Sequence, residues 1–259
     1  MGREHALLFA KRGVSVVIND LSEEVLKPTK QMIQDCGGEA TAVAGSVSEQ
    51  EVLDRIVKSA IETYGGVHIL VNNAGIEIKK PFEQFTNVDV ERMFNVHFQG
   101  SYKLTQLVWP YMQKQFYGRI VMVCSTSTYG MPQNAAYAPA KGALLGLAKS
   151  LAFEGREYNI QVNAFAPAAF TDMAKQILKE NDSAWDHMLK HYPAFATSPG
   201  QIVSSWGRSF GKIFIVGDGW TRTSQTEGYF VPNDVIEQNS ILEASRAELR
   251  ESAYGSGLL

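Results

Sequence analysis

Three side chains in one short stretch have the types and spacing needed for acid–base chemistry. Ser125 follows an apolar run, Tyr137 lies further along the chain, and Lys141 comes four residues after Tyr137. A phenol with a pKa of about 10 exchanges protons poorly at neutral pH, but a fixed cation nearby favours the phenolate. We therefore expect Tyr137 to act as a general acid and base, with Lys141 lowering its pKa. The Ser125 hydroxyl could polarise a substrate carbonyl or hold an alcohol.

The stretch lies across the boundary between a predicted strand and a predicted helix. The apolar run at 119–124 is typical of a buried parallel strand, and residues 136–155 have helical spacing. One helical turn separates Tyr137 from Lys141, so the two side chains would lie on the same face. A Tyr-x-x-x-Lys pair alone is common in helices that have no catalytic role, so the prediction depends on the surrounding elements.

Predicted strands and helices alternate along the rest of the chain. Strands are predicted at 14–18, 40–44, 68–71, 119–124, 160–165 and 212–216. Helices are predicted at 2–11, 22–36, 49–64, 88–115 and 136–155, followed by a polar helical segment to about residue 191. The alternation predicts an α/β fold with a doubly wound parallel sheet, Rossmann-like, in one domain. That domain would span residues 1–220, and residues 221–259 would form a polar, partly helical tail.

Composition narrows the class of protein. The chain has 259 residues, of which 45% are hydrophobic and 20% are charged, and its net charge is −3. These values indicate a globular protein and give no reason to expect binding to nucleic acid or to an anionic membrane. No run approaches the length that spans a bilayer, and no signal peptide or metal site is predicted. Two cysteines, Cys36 and Cys124, suit a reduced, intracellular protein.

Polar residues follow the ends of several predicted strands. They are Asp20, the run Asn72–Gly75, Ser125 and the loop at Pro167. In a doubly wound sheet, ligands bind at the carboxyl ends of the strands, so these residues are expected along one cleft. Two of these features also have ordinary structural explanations. Asp20 could cap a turn or the helix that follows it, and Asn-Asn-Ala-Gly could be a simple turn.

These motifs resemble those of the short-chain dehydrogenase/reductase family. The resemblance covers about residues 2–191 and rests on Asn72–Gly75, Ser125, Tyr137-Ala-Pro-Ala-Lys141 and the run 163–167 that leads to Thr171. Within the family, runs such as VHFQGSYKLTQ and VGDGW look most like the dehydrogenase domains of peroxisomal multifunctional enzymes, which oxidise (3R)-hydroxyacyl-CoA.

The resemblance implies hydride transfer between a nicotinamide cofactor and a secondary alcohol or ketone, such as a 3-hydroxyacyl-CoA or a polyketide-like substrate. Tyr137 would move the hydroxyl proton, Lys141 would also hold the nicotinamide ribose, and Ser125 would orient the substrate oxygen. An acid at Asp20 suits the adenosine ribose hydroxyls and repels a 2'-phosphate, which favours NAD over NADP. The implied cofactor contacts are Gly2, Asp20, Asn73, Ala74, Gly75, Tyr137, Lys141, Pro167 and Thr171.

The chain also departs from the family pattern at its start. The family begins with a strand and the motif Thr-Gly-x-x-x-Gly-x-Gly, of which only Gly2 is present here. The missing strand is expected to lie between the strands at 14–18 and 68–71, which would otherwise lose ladder partners. We favour an incomplete sequence. The alternative is a catalytically impaired dehydrogenase that acts as an oligomer partner.

Two departures concern the proposed catalytic residues. His97 stands where the family has a helix asparagine that supports a proton relay, and it could relay protons or be an ordinary core histidine. Ser125 lies one residue closer to Tyr137 than is common in the family, so Ser127 is a weaker alternative to it.

The long predicted helix at 88–115 is apolar on more than one face, which indicates burial against the sheet and against a second subunit. We expect a homo-oligomer through the helices at 88–115 and 137–158. The last residues, Ser-Gly-Leu-Leu, are not a Ser-Lys-Leu type of peroxisomal address, so a cytoplasmic location is predicted. A peroxisomal location is the alternative that the resemblance implies.

Overall fold

The computed structural model of the chain describes residues 1–168, 202–206 and 209–212. Its helices are α1 (Gly2–Ala10), α2 (Glu23–Asp35), α3 (Gln50–Tyr64), α4 (Asn87–Phe94), α5 (Gly100–Lys114) and α6 (Tyr137–Glu154). Its strands are β1 (Val16–Asp20), β2 (Ala40–Ala44), β3 (Ile69–Asn72), β4 (Gly118–Val123), β5 (Ile160–Ala168), β6 (Ile202–Trp206) and β7 (Ser209–Lys212). The predicted segment to residue 191, the position of Thr171 and the tail at 221–259 lie outside the described residues.

The strands form two sheets. Strands β1 and β2 pair in parallel, and a five-stranded sheet has the order β3-β4-β5-β6-β7. All neighbours in the larger sheet are parallel except β6 and β7, which are antiparallel. The predicted α/β class and parallel pairing are confirmed. Strand β7 runs antiparallel to β6, because the two strands are adjacent in sequence and a short connection permits only an antiparallel pair. Apart from Lys212, the predicted last strand at 212–216 lies outside the described residues.

Strands β1 and β3 do not pair with each other, so the described strands form two separate sheets. The division lies where the family resemblance implies a further strand. Helices connect the two sheets instead. Val17 of β1 packs against the main core. The loop after β2 approaches helix α5 so closely that a Cβ atom on Gly100 would lie 2.8 Å from the carbonyl oxygen of Val47. Only glycine permits that approach.

Each sheet has its own apolar core. The main core lies between the larger sheet and helices α3, α5 and α6, and its fully buried members include Leu53, Met112, Ile120, Leu144 and Val162. A smaller core lies between β1–β2 and helices α1 and α2, and is built from Ala6, Leu7, Ala10, Ile18, Leu26 and Ile33. Burial of each large aliphatic side chain contributes about 1.5–3 kcal/mol. The main core therefore stabilises the end of β4 more strongly than the smaller core stabilises the ends of β1 and β2.

The predicted helix at 88–115 is a continuous helical path with one irregular turn. Thr86 begins it with a capping box, in which its hydroxyl accepts from the Asp89 backbone and the Asp89 carboxylate accepts from the Thr86 backbone. A π-helical turn, Asn95–Gln99, joins α4 to α5. Such turns insert an extra residue into the helix and are frequent at functional sites. This one carries His97, which is 1% exposed.

Several strand and helix boundaries move by one to three residues from their predicted positions. Strand β1 begins at Val16 rather than Val14, because the Val14 N–H still donates to the Phe9 carbonyl beyond the left-handed Gly13 (φ +78°). Strand β5 continues to Ala168 because it pairs with β6, which the sequence pattern did not predict. Within the described part of the chain, no helix combines the length and apolarity that crossing a bilayer requires.

Candidate active site

The end of β4 places Ser125 at the edge of the larger sheet. The Cys124 N–H donates to the Phe165 carbonyl, which carries the ladder one residue beyond β4. Ser125 then caps the 3₁₀ turn Thr126–Tyr129, where its Oγ accepts from the backbone N–H of Ser127 at 3.1 Å. The Ser125 hydroxyl also donates to the Ser127 Oγ at 2.9 Å. Sequence analysis named Ser127 as a weaker alternative to Ser125 for the catalytic hydroxyl. In the structure the two hydroxyls are hydrogen-bonded to each other.

Helix α6 places Tyr137 and Lys141 beside the same strand end. Tyr137 is the first residue of α6, and Lys141 lies one turn later with 3% of its surface exposed. The Lys141 Nζ donates to the Val123 carbonyl at 2.7 Å and lies 5.9 Å from the centre of the Tyr137 ring. The ammonium is therefore bound to the last carbonyl of β4, beside the phenol that precedes Lys141 by one turn of helix.

Burial shifts the acid–base properties of both groups. It raises the pKa of Tyr137 to about 12, while the Ser125 side chain acts to lower this pKa and the negative charge of Glu77 raises it further. Burial lowers the pKa of Lys141 to about 8. The sequence predicts that Lys141 lowers the pKa of Tyr137. In this structure desolvation of the phenol outweighs any effect of the Lys141 charge on the pKa of Tyr137. The Lys141 ammonium is bound to the Val123 carbonyl instead.

His97 contacts Tyr137 directly. Its ring packs edge-to-face on Tyr137 with the centroids 5.2 Å apart. The Ile76 carbonyl lies 2.7 Å from its Nε2, and the Ile76 N–H lies 3.3 Å from the same atom. We assign the ring proton to Nε2 because the carbonyl is the nearer of the two groups. Burial and then the charge of Lys141 lower the pKa of His97 to about 3, so the ring is neutral. Its Nδ1 has no hydrogen-bond partner among the described residues.

The run Asn72–Gly75 has a packing role that a simple turn would not need. The buried Asn72 side chain donates to the Thr105 hydroxyl at 3.1 Å, which fixes the end of β3 to helix α5. A Cβ atom on Gly75 would lie 2.6 Å from the His97 ring and 3.6 Å from the Lys141 Nζ. Glycine at position 75 therefore allows the chain to pass closely over these two side chains, and the neighbouring Ala74 is exposed.

The residues predicted for the nucleotide are more open. Asp20 ends β1 and is exposed, and one of its carboxylate oxygens accepts from the Leu21 N–H at 2.8 Å. This contact reaches only the next residue, and the N-cap of α2 is Ser22 rather than Asp20. The second carboxylate oxygen has no hydrogen bond within the described residues. Gly2 begins α1, and a Cβ atom there would lie 3.0 Å from the Asn73 amide nitrogen. The N-terminus of α1 therefore meets the chain just after β3.

Pro167 and Thr171 were also predicted, and one further residue was missed. Pro167 lies within β5, opposite Ser205 of β6, and Thr171 lies outside the described residues. Glu77 was not predicted from any motif. Its side chain is 8% exposed, forms an ion pair with Lys79 at 3.5 Å and acts on Tyr137 through its charge. The only sequence signal for Glu77 is its place two residues after Gly75.

Comparison with known proteins identifies the family. The family model described as short chain dehydrogenase matches residues 1–182. The chain therefore belongs to the short-chain dehydrogenase family, whose members are oxidoreductases, and the predicted resemblance is confirmed.

Individual relatives and structures agree with this assignment. A peroxisomal hydratase-dehydrogenase-epimerase of Neurospora crassa is 37% identical over 91% of this chain and 26% of its own length. A 3-oxoacyl-[acyl-carrier-protein] reductase of Thermotoga maritima is 34% identical over 64% of this chain and 68% of its own. The structure of NAD⁺-bound xylitol dehydrogenase matches with a TM-score of 0.64 and 28% identity, over 68% of this chain and 70% of that one. The chain spans about a quarter of the length of the multifunctional relatives that it matches.

Proposed function

We propose that the protein is an NAD-dependent oxidoreductase that transfers a hydride between the nicotinamide and a secondary alcohol or ketone. The observation that carries the proposal is the contact of three groups at one strand end. The Tyr137 phenol lies near enough to Ser125 for that side chain to act on its pKa, and the buried Lys141 ammonium lies beside the same ring. The names of the relatives, a 3-oxoacyl reductase among them, support a 3-hydroxyacyl or related acyl substrate.

The chain's own residues would carry the proton transfer. When bound, the nicotinamide supplies or accepts the hydride. In ketone reduction, Tyr137 would donate its proton to the substrate oxygen, and its raised pKa keeps the phenol protonated at neutral pH. In alcohol oxidation, Tyr137 would accept that proton as phenolate, so the oxidation rate should increase with pH. Ser125 would hold the reacting oxygen at hydrogen-bonding distance from Tyr137.

The residues near the strand ends fit a dinucleotide. The first turn of α1 begins at Gly2 without a side-chain cap, and a helix N-terminus suits a phosphate. The exposed Asp20 carboxylate suits a ribose diol and disfavours a 2'-phosphate, which supports NAD over NADP. Lys141 would hold the nicotinamide ribose. The remaining contacts that we propose are Asn73, Ala74, Gly75, Tyr137, Pro167 and Thr171, the last of which lies outside the described residues.

We also propose a homo-oligomer formed through the helices at 88–115 and 137–158. Helix α5 exposes Tyr102 and Tyr111, and helix α6 exposes Phe153, so apolar rings lie on the surfaces of both helices. The cytoplasmic location predicted from the sequence stays a prediction, and the Neurospora relative is described as peroxisomal.

One observation favours the second candidate, a catalytically impaired dehydrogenase that acts as an oligomer partner. Strands β1 and β3 have no common partner among the described residues, so the two halves of the nucleotide-binding edge are joined mainly by helices. A loosely joined edge would bind the dinucleotide weakly even though Tyr137 and Lys141 are in place.

Titration with NADH, followed by its fluorescence, separates the two candidates. We expect a dissociation constant in the micromolar range, about −8 kcal/mol at 1 μM, and weaker binding of NADPH. Turnover is then measured with a 3-hydroxyacyl-CoA and NAD. Binding without turnover of any secondary alcohol would favour the impaired oligomer partner. Absence of NADH binding would defeat the dehydrogenase proposal.

A further inference from the structure

The 3₁₀ turn after β4 contains a second hydroxyl that the proposed mechanism does not use. Ser127 is 6% exposed, and its Oγ accepts the Ser125 proton at 2.9 Å. The Ser127 hydroxyl donates its own proton to the thioether sulfur of Met131 at 3.5 Å. The two hydroxyls therefore form a short chain of hydrogen bonds that starts at Ser125, beside the Tyr137 phenol, and ends at Met131.

The direction of this chain can be reversed at little cost. A hydroxyl has one proton and two lone pairs, and a thioether sulfur is only a weak acceptor. When Ser125 turns its proton toward a stronger acceptor, such as a phenolate or a polarised carbonyl, the Ser127 Oγ loses that proton. Ser127 can then turn its own proton from the Met131 sulfur to the Ser125 oxygen. A serine that accepts one hydrogen bond is a stronger donor in the next.

We propose that Ser127 is a positioning residue that strengthens Ser125 as a hydrogen-bond donor to the reacting oxygen. It acts through Ser125 and does not touch the substrate. The proposal rests on the proposed function, because it assigns Ser127 a part in the same proton transfer. It also explains why a buried hydroxyl at position 127 faces Ser125 while its own proton is held only by a weak acceptor.

The kinetic test uses Ser127→Ala, Ser125→Ala and the double variant. We expect Ser127→Ala to lower kcat/KM about fivefold to tenfold, mainly in kcat, because the lost hydrogen bond strengthens only as charge develops. In the Ser125→Ala background, the second substitution should change nothing, since Ser127 acts through Ser125. Thr128→Val is the matched control. It removes a hydroxyl of the same turn that donates to the backbone carbonyl of Ser125, and it should leave kcat/KM unchanged.

A titration provides a readout that needs no turnover. Incorporation of 3-fluorotyrosine makes the phenols more acidic, and the ¹⁹F signal of Tyr137 is assigned by its loss in Tyr137→Phe. We expect the pKa of this phenol to be higher in Ser127→Ala than in the wild-type protein, and higher still in Ser125→Ala. Thr128→Val should titrate like the wild-type protein, and circular dichroism verifies that each variant is folded over the range.

The two proposals fail in different ways. A wild-type protein that binds NADH but turns over no secondary alcohol would contradict the proposed function, while the ¹⁹F titration would still decide the role of Ser127. Identical titrations of Ser127→Ala and wild type would overturn the inference. In an active enzyme, an undiminished kcat/KM of Ser127→Ala would also overturn the inference. The same holds if Ser127→Ala lowers kcat/KM equally in the wild-type protein and in Ser125→Ala.

Discussion

The two halves of the candidate site differ in how much of their geometry the protein fixes. We call Ser125, Tyr137, Lys141 and His97 the proton-transfer cluster, and Gly2, Asp20, Asn73 and Ala74 the nucleotide edge. In the cluster, Lys141 is 3% exposed and His97 is 1% exposed, and each side chain contacts another member or a backbone group beside it. At the nucleotide edge, Asp20 and Ala74 are exposed and Asp20 makes one local hydrogen bond.

This difference follows from the cores beneath the two halves. In the proton-transfer cluster, Ser125 follows β4, Tyr137 and Lys141 lie on α6, and His97 lies on the π-turn before α5. Strand β4 and helices α5 and α6 all contribute to the main core. The nucleotide edge is divided between the main sheet and the two-stranded sheet, which has a small core of its own. Packing therefore fixes the geometry of the proton-transfer cluster before any ligand binds. The geometry of the nucleotide edge depends more on the bound nucleotide. The cluster should be sensitive to small changes in shape and charge, and the edge should respond mainly through nucleotide preference.

The largest expected effect is that of Tyr137→Phe. The change removes only the hydroxyl, so turnover should fall about 10³-fold, as for loss of a general acid and base. Affinity for NADH should stay nearly the same, because the ring still packs on His97. Tyr117→Phe, at an exposed position just before β4, is the control and should keep wild-type turnover. Steady-state rates and NADH fluorescence measure both quantities, and retained turnover in Tyr137→Phe would remove its role in proton transfer.

Lys141→Met should change the pH dependence of stability. The pKa of Lys141 is lowered to about 8 in the folded protein from 10.5, so between these values the unfolded chain binds more protons. The stability of the wild-type protein should therefore rise relative to Lys141→Met as pH increases through about 8, because the folded protein no longer keeps a buried charge. From pH 7.5 to 9.5, the unfolding free energy of the wild-type protein should increase by about 2 kcal/mol relative to that of Lys141→Met.

Urea denaturation at several pH values measures this difference. The pKa values of Tyr137 and Cys124 are both raised to about 12, and both groups are present in both proteins. Their contributions therefore largely cancel in the comparison. A difference between the two proteins that stays constant with pH would show that Lys141 keeps an ordinary pKa in the folded state.

Gly75→Ala tests how tightly the proton-transfer cluster is packed. The new methyl group would lie 2.6 Å from the His97 ring, so the variant should lose about 1–3 kcal/mol of stability and some turnover. His97→Ala added to Gly75→Ala should recover part of the stability, because the clash is removed. Gly146→Ala is the control in helix α6, where no atom lies near the new methyl group, and it should be neutral or stabilising by up to about 1 kcal/mol. Thermal and urea denaturation measure these changes.

Asp20→Asn tests the nucleotide edge. Loss of the negative charge should reduce the preference for NAD over NADP about tenfold in kcat/KM, because a 2'-phosphate is no longer repelled. Stability should hardly change, since Asp20 is exposed. Glu23→Gln removes a nearby exposed charge at the start of α2 and should leave the preference as it is. An unaltered ratio in Asp20→Asn would place the adenosine ribose elsewhere.

The smallest expected effect is that of Glu77→Gln. The Glu77 charge raises the pKa of Tyr137, so its removal should lower that pKa and increase the phenolate fraction below it. Alcohol oxidation at pH 7.5 should become about threefold faster, an effect of the size expected for a charge partly neutralised by Lys79. Glu83→Gln, an exposed position in the segment before α4, should leave the rate unchanged. A slower oxidation in Glu77→Gln would contradict this electrostatic role.

Much of the fold follows from local patterns. The predicted strand at 119–124 differs from β4 by one residue at each end, and the predicted helix at 136–155 contains α6. Such agreement is expected because apolar periodicity and glycine stops act over a few residues. Strand β6 and the antiparallel direction of β7 were not predicted, because both depend on which distant strand lies next to them. The π-turn at Asn95–Gln99 likewise has no signal in the apolar pattern.

The sequence by itself determined which groups stand close along the chain. It placed a hydroxyl after a buried strand, and a phenol and an amine one turn apart in the next helix, because these relations depend only on strand ends and helical pitch. Only the tertiary structure decided how these groups interact. It bound the Lys141 ammonium to the Val123 carbonyl, set His97 against Tyr137, and brought Glu77 near the phenol. Burial and charge at a site depend on elements far apart in sequence, so the shifted pKa values that govern its chemistry arise only when the chain is packed.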